Sequence, residues 1–137
     1  MKTTEINKSA LQTTGTLAPD GPVYMLNLLR YKEYADYNNA AGTSPCSGRE
    51  VYMQRYVREF RRLADEHGVR LLFLGNVGIN LVAPDTEQWD DVALVEYPDF
   101  STFRNIVASN AYLENAEPHR LAALEDWRLI ATNKVPL

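Results

Sequence analysis

The chain predicts an α+β fold of βαββαβ order, a four-stranded antiparallel sheet with its helices on one face, as in ferredoxin-like domains. Three observations carry this. Short apolar runs of strand length begin after Asp20-Gly21-Pro22, after His67-Gly68 and after Trp89-Asp90, and a fourth closes the chain. Between the first and second runs, and again between the third and fourth, apolar residues recur at helical spacing. A length of 137 residues, with 45% hydrophobic and 23% charged residues, suits one domain with its own core.

Residues 1–19 are polar and Thr-rich and read as a tail with at most a short helix near Ile6 to Leu11, so the domain proper spans 20–137. The first strand runs from Val23 to Leu29. A loop from Tyr31 to Cys46 follows, rich in Tyr, Asn and Ala and longer than most connections. Ser47-Gly48-Arg49-Glu50 fits a capping box, and Met53, Tyr56, Val57, Phe60, Leu63 and Ala64 give the helix behind it one apolar face. Gly68 suits the left-handed residue that ends such a helix. The run from Val69 to Ala83 is long for one strand, and Gly75 and Gly78 predict a bend or bulge within it. Asp91 to Tyr97 is the third strand; Pro98-Asp99 opens a helix carrying Phe100, Phe103, Ile106 and Val107. After a break at Ser109-Asn110, Pro118 belongs in the first turn of a last helix before the strand Trp127 to Thr132.

A net charge of −4 argues against a nucleic-acid partner, since phosphate binding needs a basic stripe. Arg55, Arg58, Arg61 and Arg62 alternate with Glu59, Asp65 and Glu66 and read as a solvated helix face. The single cysteine, Cys46, excludes an intrachain disulfide and reads as a bystander thiol. Neither a signal-peptide core nor a membrane-spanning apolar run is visible, so no membrane role and a cytoplasmic location are expected. No metal-ligand spacing and no phosphate loop occur, and no cofactor is predicted.

With the helices on one face of the sheet, Val92, Leu94, Leu72 and Leu74 make the other partly apolar, and a bare apolar face of that size marks an interface. A second copy packed face to face would cover it, giving a homodimeric α/β barrel with an enclosed cavity. Strand parity then predicts a cluster of Asn27, Glu96 and Arg128 pointing into that cavity, where an Arg–Glu pair and an amide orient a carboxylate or enolate. The alternative for the same residues is a structural polar network that holds the dimer register.

His119 is the candidate acid or base, with a structural hydrogen bond, for instance to Asp126, as the alternative; His67 reads as a helix-end residue. Tyr52 and Tyr56 share a helix face and, with Arg30 and Trp89, are candidate substrate-binding residues; Tyr31, Tyr34 and Tyr37 are candidate pocket covers. Two functions fit. One is a cofactor-independent enzyme (isomerase, cyclase, lyase or monooxygenase type) acting on a carbonyl-bearing, largely apolar molecule, with His119 moving the proton and Asn27 and Arg128 stabilising the oxyanion. The other is a non-catalytic dimer that binds a small molecule or serves in regulation.

The segments from Gly21 to Tyr31, Ser47 to Tyr52, Trp89 to Val92 and His119 to Thr132 resemble a family of small bacterial-type proteins known only as a domain of unknown function. That family lies within the dimeric α/β-barrel superfamily, so the resemblance implies the fold and self-pairing but no reaction. The superfamily includes cofactor-free monooxygenases, cyclases, isomerases, chlorite dismutases and haem-degrading enzymes. The haem-degrading type uses an Asn on the first strand with a Trp and a His further on. Asn27 fits the first position, but Ile106 and Ala116 fall at the others, so haem is not implied.

Overall fold

The computed structural model describes residues 1–38 and 45–137. Strands β1 (Val23–Tyr31), β2 (Arg70–Asn76), β3 (Asp91–Tyr97) and β4 (Leu124–Thr132) form one sheet in the order β2-β3-β1-β4, every pair antiparallel. This is the expected ferredoxin-like arrangement. Helices α2 (Gly48–Val51), α3 (Val57–Ala64), α4 (Phe100–Ala108), α5 (Asn110–Asn115) and α6 (Glu117–Ala123) cover one face; α1 (Lys8–Leu11) precedes the sheet.

The capping box forms, with Ser47 Oγ accepting from the Glu50 amide and Glu50 Oε1 accepting from the Ser47 amide. Between α2 and α3 the helix widens into one π turn over Tyr52–Tyr56. Gly68 ends it at φ +74°. Gly48 is forced by proximity, because a Cβ there would press on the Lys32 and Ala123 carbonyls. Asp99 and Ser109 cap α4 and α5 through side-chain oxygens.

Alternation along β1 fixes the two faces of the sheet. Val23, Met25, Asn27 and Leu29 are buried under the helices. Tyr24, Leu26, Leu28 and Arg30 lie on the open face with Val92, Leu94 and Glu96 of β3 and Arg128, Ile130 and Thr132 of β4, by register. The second strand is shorter than its apolar run. It ends at Asn76 after a register shift between Leu71 and Phe73, so residues 77–83 lie outside the sheet. That shift also separates Leu71 and Leu74, which line the helix side, from Phe73, which pairs with Leu94 and folds over Gly75.

Within residues 1–19 a short helix forms where expected, as α1, and the segment is tied to the sheet. Thr3 accepts from the Trp127 amide and donates its own amide to Asp126, and Arg104 Nε donates to the Leu11 carbonyl at 2.6 Å. The N-terminal segment thus runs along the outer edge of β4 and roofs a hollow of about 470 Å³ above Met25 and Phe100. Residues 39–44 of the 31–46 loop lie outside the described residues. Among the described residues, no helix is long and apolar enough to cross a membrane.

Candidate functional site

The chemistry-bearing hollow lies between helices and sheet, on the face opposite the one expected. It measures about 440 Å³. Its floor is Asn27 and Leu29 of β1, Ala93, Val95 and Tyr97 of β3, and Trp127 and Leu129 of β4. Tyr52, Met53, Tyr56, Val57 and Phe60 form the roof, and Phe103, Val107 and Tyr112 the inner end. Leu71 and Leu74, together with Arg61 and Asp65, border it near the β2 edge. Arg61 and Asp65 are exposed and paired with each other at 3.6 Å.

The π turn bears directly on the roof, because it carries Tyr52 and Tyr56 at its two ends with their rings stacked at 4.9 Å between centroids. Tyr56 Oη lies 2.9 Å from Tyr112 Oη, and Arg120 Nη1 donates to Tyr112 Oη at 2.5 Å. In the floor, Trp127 Nε1 donates to Asn27 Oδ1 at 3.1 Å, while Asn27 Nδ2 has only a long 3.4 Å contact with the Met25 carbonyl. The Tyr52 and Tyr97 hydroxyls have no hydrogen-bond partner among the described residues. Burial pushes the Tyr52, Tyr56 and Tyr97 hydroxyls well above the ordinary phenol range. Burial also raises Tyr112, against the opposing pull of Arg120. All four are therefore neutral hydroxyls at physiological pH. Apolar walls carrying phenols and one amide, with no buried carboxylate or imidazole, present mainly hydrogen-bond donors.

Behind Tyr52 lies a second polar group. Asp91, 2% exposed, accepts from Tyr31 Oη at 2.7 Å, Arg49 Nη1 at 2.6 Å and Asn76 Nδ2 at 2.9 Å. Burial works to raise its carboxyl, but these three hydrogen bonds hold it below the usual carboxylate value. The Tyr31 ring packs against Tyr52 at 5.6 Å, so this network braces the roof.

Of the residues predicted from sequence, Asn27, Tyr52 and Tyr56 meet in this cavity. The cluster of Asn27 with Glu96 and Arg128 does not form. Asn27 points under the helices, whereas Glu96 and Arg128 share the open face. Those two stand opposite Tyr24 and Leu28, four residues apart along the intervening β1, which is about 13 Å of strand. Each has its own partner. Glu96 holds Arg70 at 2.7 Å, and Arg70 and Tyr24 keep its carboxyl below the ordinary value. Arg128 pairs with Asp126 at 2.7 Å, reaches the Met1 carbonyl and lies over the Trp89 ring at 5.1 Å.

Trp89 therefore sits beside Arg128 on the open face, its indole donating to Glu87, and not at the cavity. Arg30 lies on that same face, at the end of β1. His119 is on the outside of the helical layer, its Nδ1 2.7 Å from Tyr37 Oη, which also accepts from Arg55. Burial and then Arg55 lower its pKa. It hydrogen-bonds neither to Asp126 nor into the cavity, so the proton-transfer role expected of it has no geometry here. Tyr37 and Tyr31 hydrogen-bond to His119 and Asp91, and Tyr31 and the exposed Tyr34 border a shallow, polar hollow with Arg30, apart from the cavity under the helices.

Sequence reading missed Tyr97, Tyr112 and Trp127 as cavity groups, and Arg120 behind them. Only the helical phase of Tyr112 and the parity of Trp127 with Leu129 could have pointed to the inward face. No group of three or more metal-ligating side chains is gathered among the described residues.

No family model matches the chain, and no curated protein matches it. Solved structures do. A crystal structure of methylated RPA0582 protein is 30% identical, with a TM-score of 0.84, over 96% of this chain and 94% of that one. A second crystal structure of RPA0582, described as a protein of unknown function from Rhodopseudomonas palustris, is 28% identical with a TM-score of 0.82, over 97% of each chain. Identity at that level across nearly both whole chains means that this protein belongs to one family with the Rhodopseudomonas palustris RPA0582 protein.

Proposed function

We propose that this protein binds a flat, largely apolar small molecule bearing a carbonyl or hydroxyl oxygen in the cavity between helices and sheet. One observation carries the reading: an apolar hollow whose buried polar groups are phenol hydroxyls, one indole and one amide, with no acceptor among the described residues for the Tyr52, Tyr56 and Tyr97 hydroxyls. Such walls favour a ligand that is an acceptor and disfavour one that brings its own donors. Binding is the better supported of the two functions, since acid–base catalysis needs a titratable group free to act at the cavity, and the carboxylate on its border, Asp65, is exposed and paired with Arg61. The enzymatic alternative rests on the same donors. Asn27 and the tyrosines would stabilise an enolate oxygen formed from a substrate acidic enough to ionise with solvent as the base.

The test is a thermal-shift panel of flat aromatic ketones and phenols, set against Ala93→Phe, which fills the cavity floor. A ligand at a hundred times its dissociation constant stabilises the fold by about 2.7 kcal/mol. The reading expects that shift in the wild type, its loss in Ala93→Phe, and its survival in Trp89→Leu and Arg128→Gln. A ligand that needs Trp89 and Arg128 but tolerates Ala93→Phe would move the site to the open face and end this proposal.

The self-pairing belongs to the same reading. Leu26, Leu28, Val92 and Leu94 form an apolar centre on the open face, with Phe73 and Ile130 58% and 46% exposed beside it. Charge pairs stand toward opposite ends, Arg70–Glu96 and Arg128–Asp126. A second copy is the occupant that such a patch fits, as each end offers both signs to its two-fold mate. Leu28→Glu should yield a monomer by sedimentation; an unchanged dimer would exclude this face. The setting we propose is the cytoplasm.

A further inference from the structure

We propose that the cavity takes its ligand as an anion, with the ligand oxygen held by Tyr56 and its charge balanced from behind by Arg120 through Tyr112. This rests on the cavity being a ligand site and adds the charge of what it binds.

Arg120 carries a guanidinium into the middle of the core, where it is 1% exposed. A cation that deep is costly unless it is paired and fully hydrogen-bonded. Its partners fall short of that. Nη1 donates to Tyr112 Oη, Nη2 to the Thr4 carbonyl at 3.3 Å, and Nε has no partner among the described residues. The nearest carboxylate, Glu117, stands off at 3.6 Å and is 30% exposed. The rest of its contact is aromatic, with the Trp127 ring centroid 4.9 Å from the guanidinium carbon. Trp127 and Tyr112 are both cavity walls, so the charge lies one side chain behind the lining.

The hydrogen bonds carry that charge inward. Arg120 has no acceptor, so Tyr112 Oη accepts from it and is free to donate its own hydrogen to Tyr56 Oη at 2.9 Å. Tyr56 then has a hydrogen and no protein acceptor for it among the described residues, and its ring lines the roof. The chain from guanidinium to phenol to phenol ends in a polarised donor on a residue that lines the hollow. The carboxylate on the border of the hollow is already paired with a cation. Asp65 stands exposed beside Arg61, and Asp91, beyond Tyr52, is held by Arg49. An enolate, phenolate or carboxylate oxygen supplies what this arrangement lacks; a neutral ketone would leave Arg120 as it is. Arg120 and Tyr112 are positioning residues, and Tyr56 is the group that touches the ligand.

The test uses the full chain and two probes of one shape, 4-nitrophenol, which ionises with a colour change, and 4-nitroanisole, which cannot ionise. The inference expects bound nitrophenol to ionise about tenfold more readily than free nitrophenol, and to outcompete nitroanisole at pH 8. Tyr56→Phe, which removes one hydroxyl and keeps Arg120 paired, should abolish the preference, and Tyr112→Phe should do so by cutting the chain. Bound nitrophenol that ionises less readily than the free form, or a preference untouched by Tyr56→Phe, overturns the inference and leaves the cavity reading in place. Failure of both probes to bind at any pH takes away the cavity reading and this inference with it.

Discussion

The bond between Trp127 Nε1 and Asn27 Oδ1 ties the cavity floor together across β1 and β4, and its worth can be measured. Both side chains are buried, Asn27 at 8% and Trp127 at 7% exposure, and the bond is 3.1 Å long. Asn27→Leu leaves the indole N–H without an acceptor in an apolar surrounding, which costs about 1–3 kcal/mol, partly offset by the added apolar side chain. Trp127→Phe strands the Asn27 carbonyl at a similar cost and also removes ring area and part of the contact with Arg120. Once both are replaced, nothing is stranded, so the double variant should be more stable than the sum of the two losses by about 1–2 kcal/mol. In melting temperature that coupling is roughly 3–7 °C for a chain of this size. The assay is urea denaturation of the wild type, both single variants and the double, at one pH and with equal m-values. Additivity within about 0.5 kcal/mol would mean that the bond contributes nothing to holding the floor, and the account of Asn27 as a bound floor residue would fail.

Other expectations follow from the same geometry. Asp91→Asn should cost about 2 kcal/mol near pH 7, discounted because Arg49 is 45% exposed. With a folded pKa below its ordinary 3.8, Asp91 stabilises the fold above that value, and the gain is lost as pH falls through the folded pKa. The variant's stability should therefore fall less steeply than the wild type's below about pH 4. His119 titrates in the folded state below its ordinary 6.5, so its contribution is present above 6.5 and fades as pH drops toward the folded value. Accordingly His119→Ala should flatten the stability profile below about pH 6.5, with ligand affinity at the cavity unchanged; a large loss of affinity would return His119 to the site. Gly48→Ala should destabilise by about 1–3 kcal/mol in a denaturant titration, because the new methyl meets the Lys32 and Ala123 carbonyls. A neutral result would show that the helix start can shift.

Much of the fold is local chemistry and was legible in the sequence for that reason. Ser47 with Glu50, Asp99 before Phe100 and Gly68 after His67 act within a few residues of themselves, and each does what its type dictates. The site was harder, because parity sorts the residues of one strand but says nothing of which face the helices take. In β1 both Val23, Met25, Leu29 and Leu26, Leu28 are apolar, so the strand looks alike from either side. Parity alone therefore lets Asn27 face either side, and its burial with Ala93 and Leu129 under the helices places it on the inner one. Arg120 reads as a surface cation of a short helix; its burial comes from Tyr112, Trp127 and Thr4, far apart in sequence. The N-terminal segment is held largely by main-chain groups and by carboxylates of β4, which leave no mark on a polar, Thr-rich composition.

The two tryptophans lie on opposite sides of the sheet, Trp127 in the cavity floor and Trp89 beside Arg128 on the open face. Their indole N–H resonances in a ¹H–¹⁵N spectrum, assigned by Trp89→Phe, therefore report on the two faces separately. Titration with a flat phenol such as 4-nitrophenol should move the Trp127 signal and leave that of Trp89 in place. A ligand that shifts Trp89 while Trp127 stays fixed would contradict the assignment of the site to the space between helices and sheet.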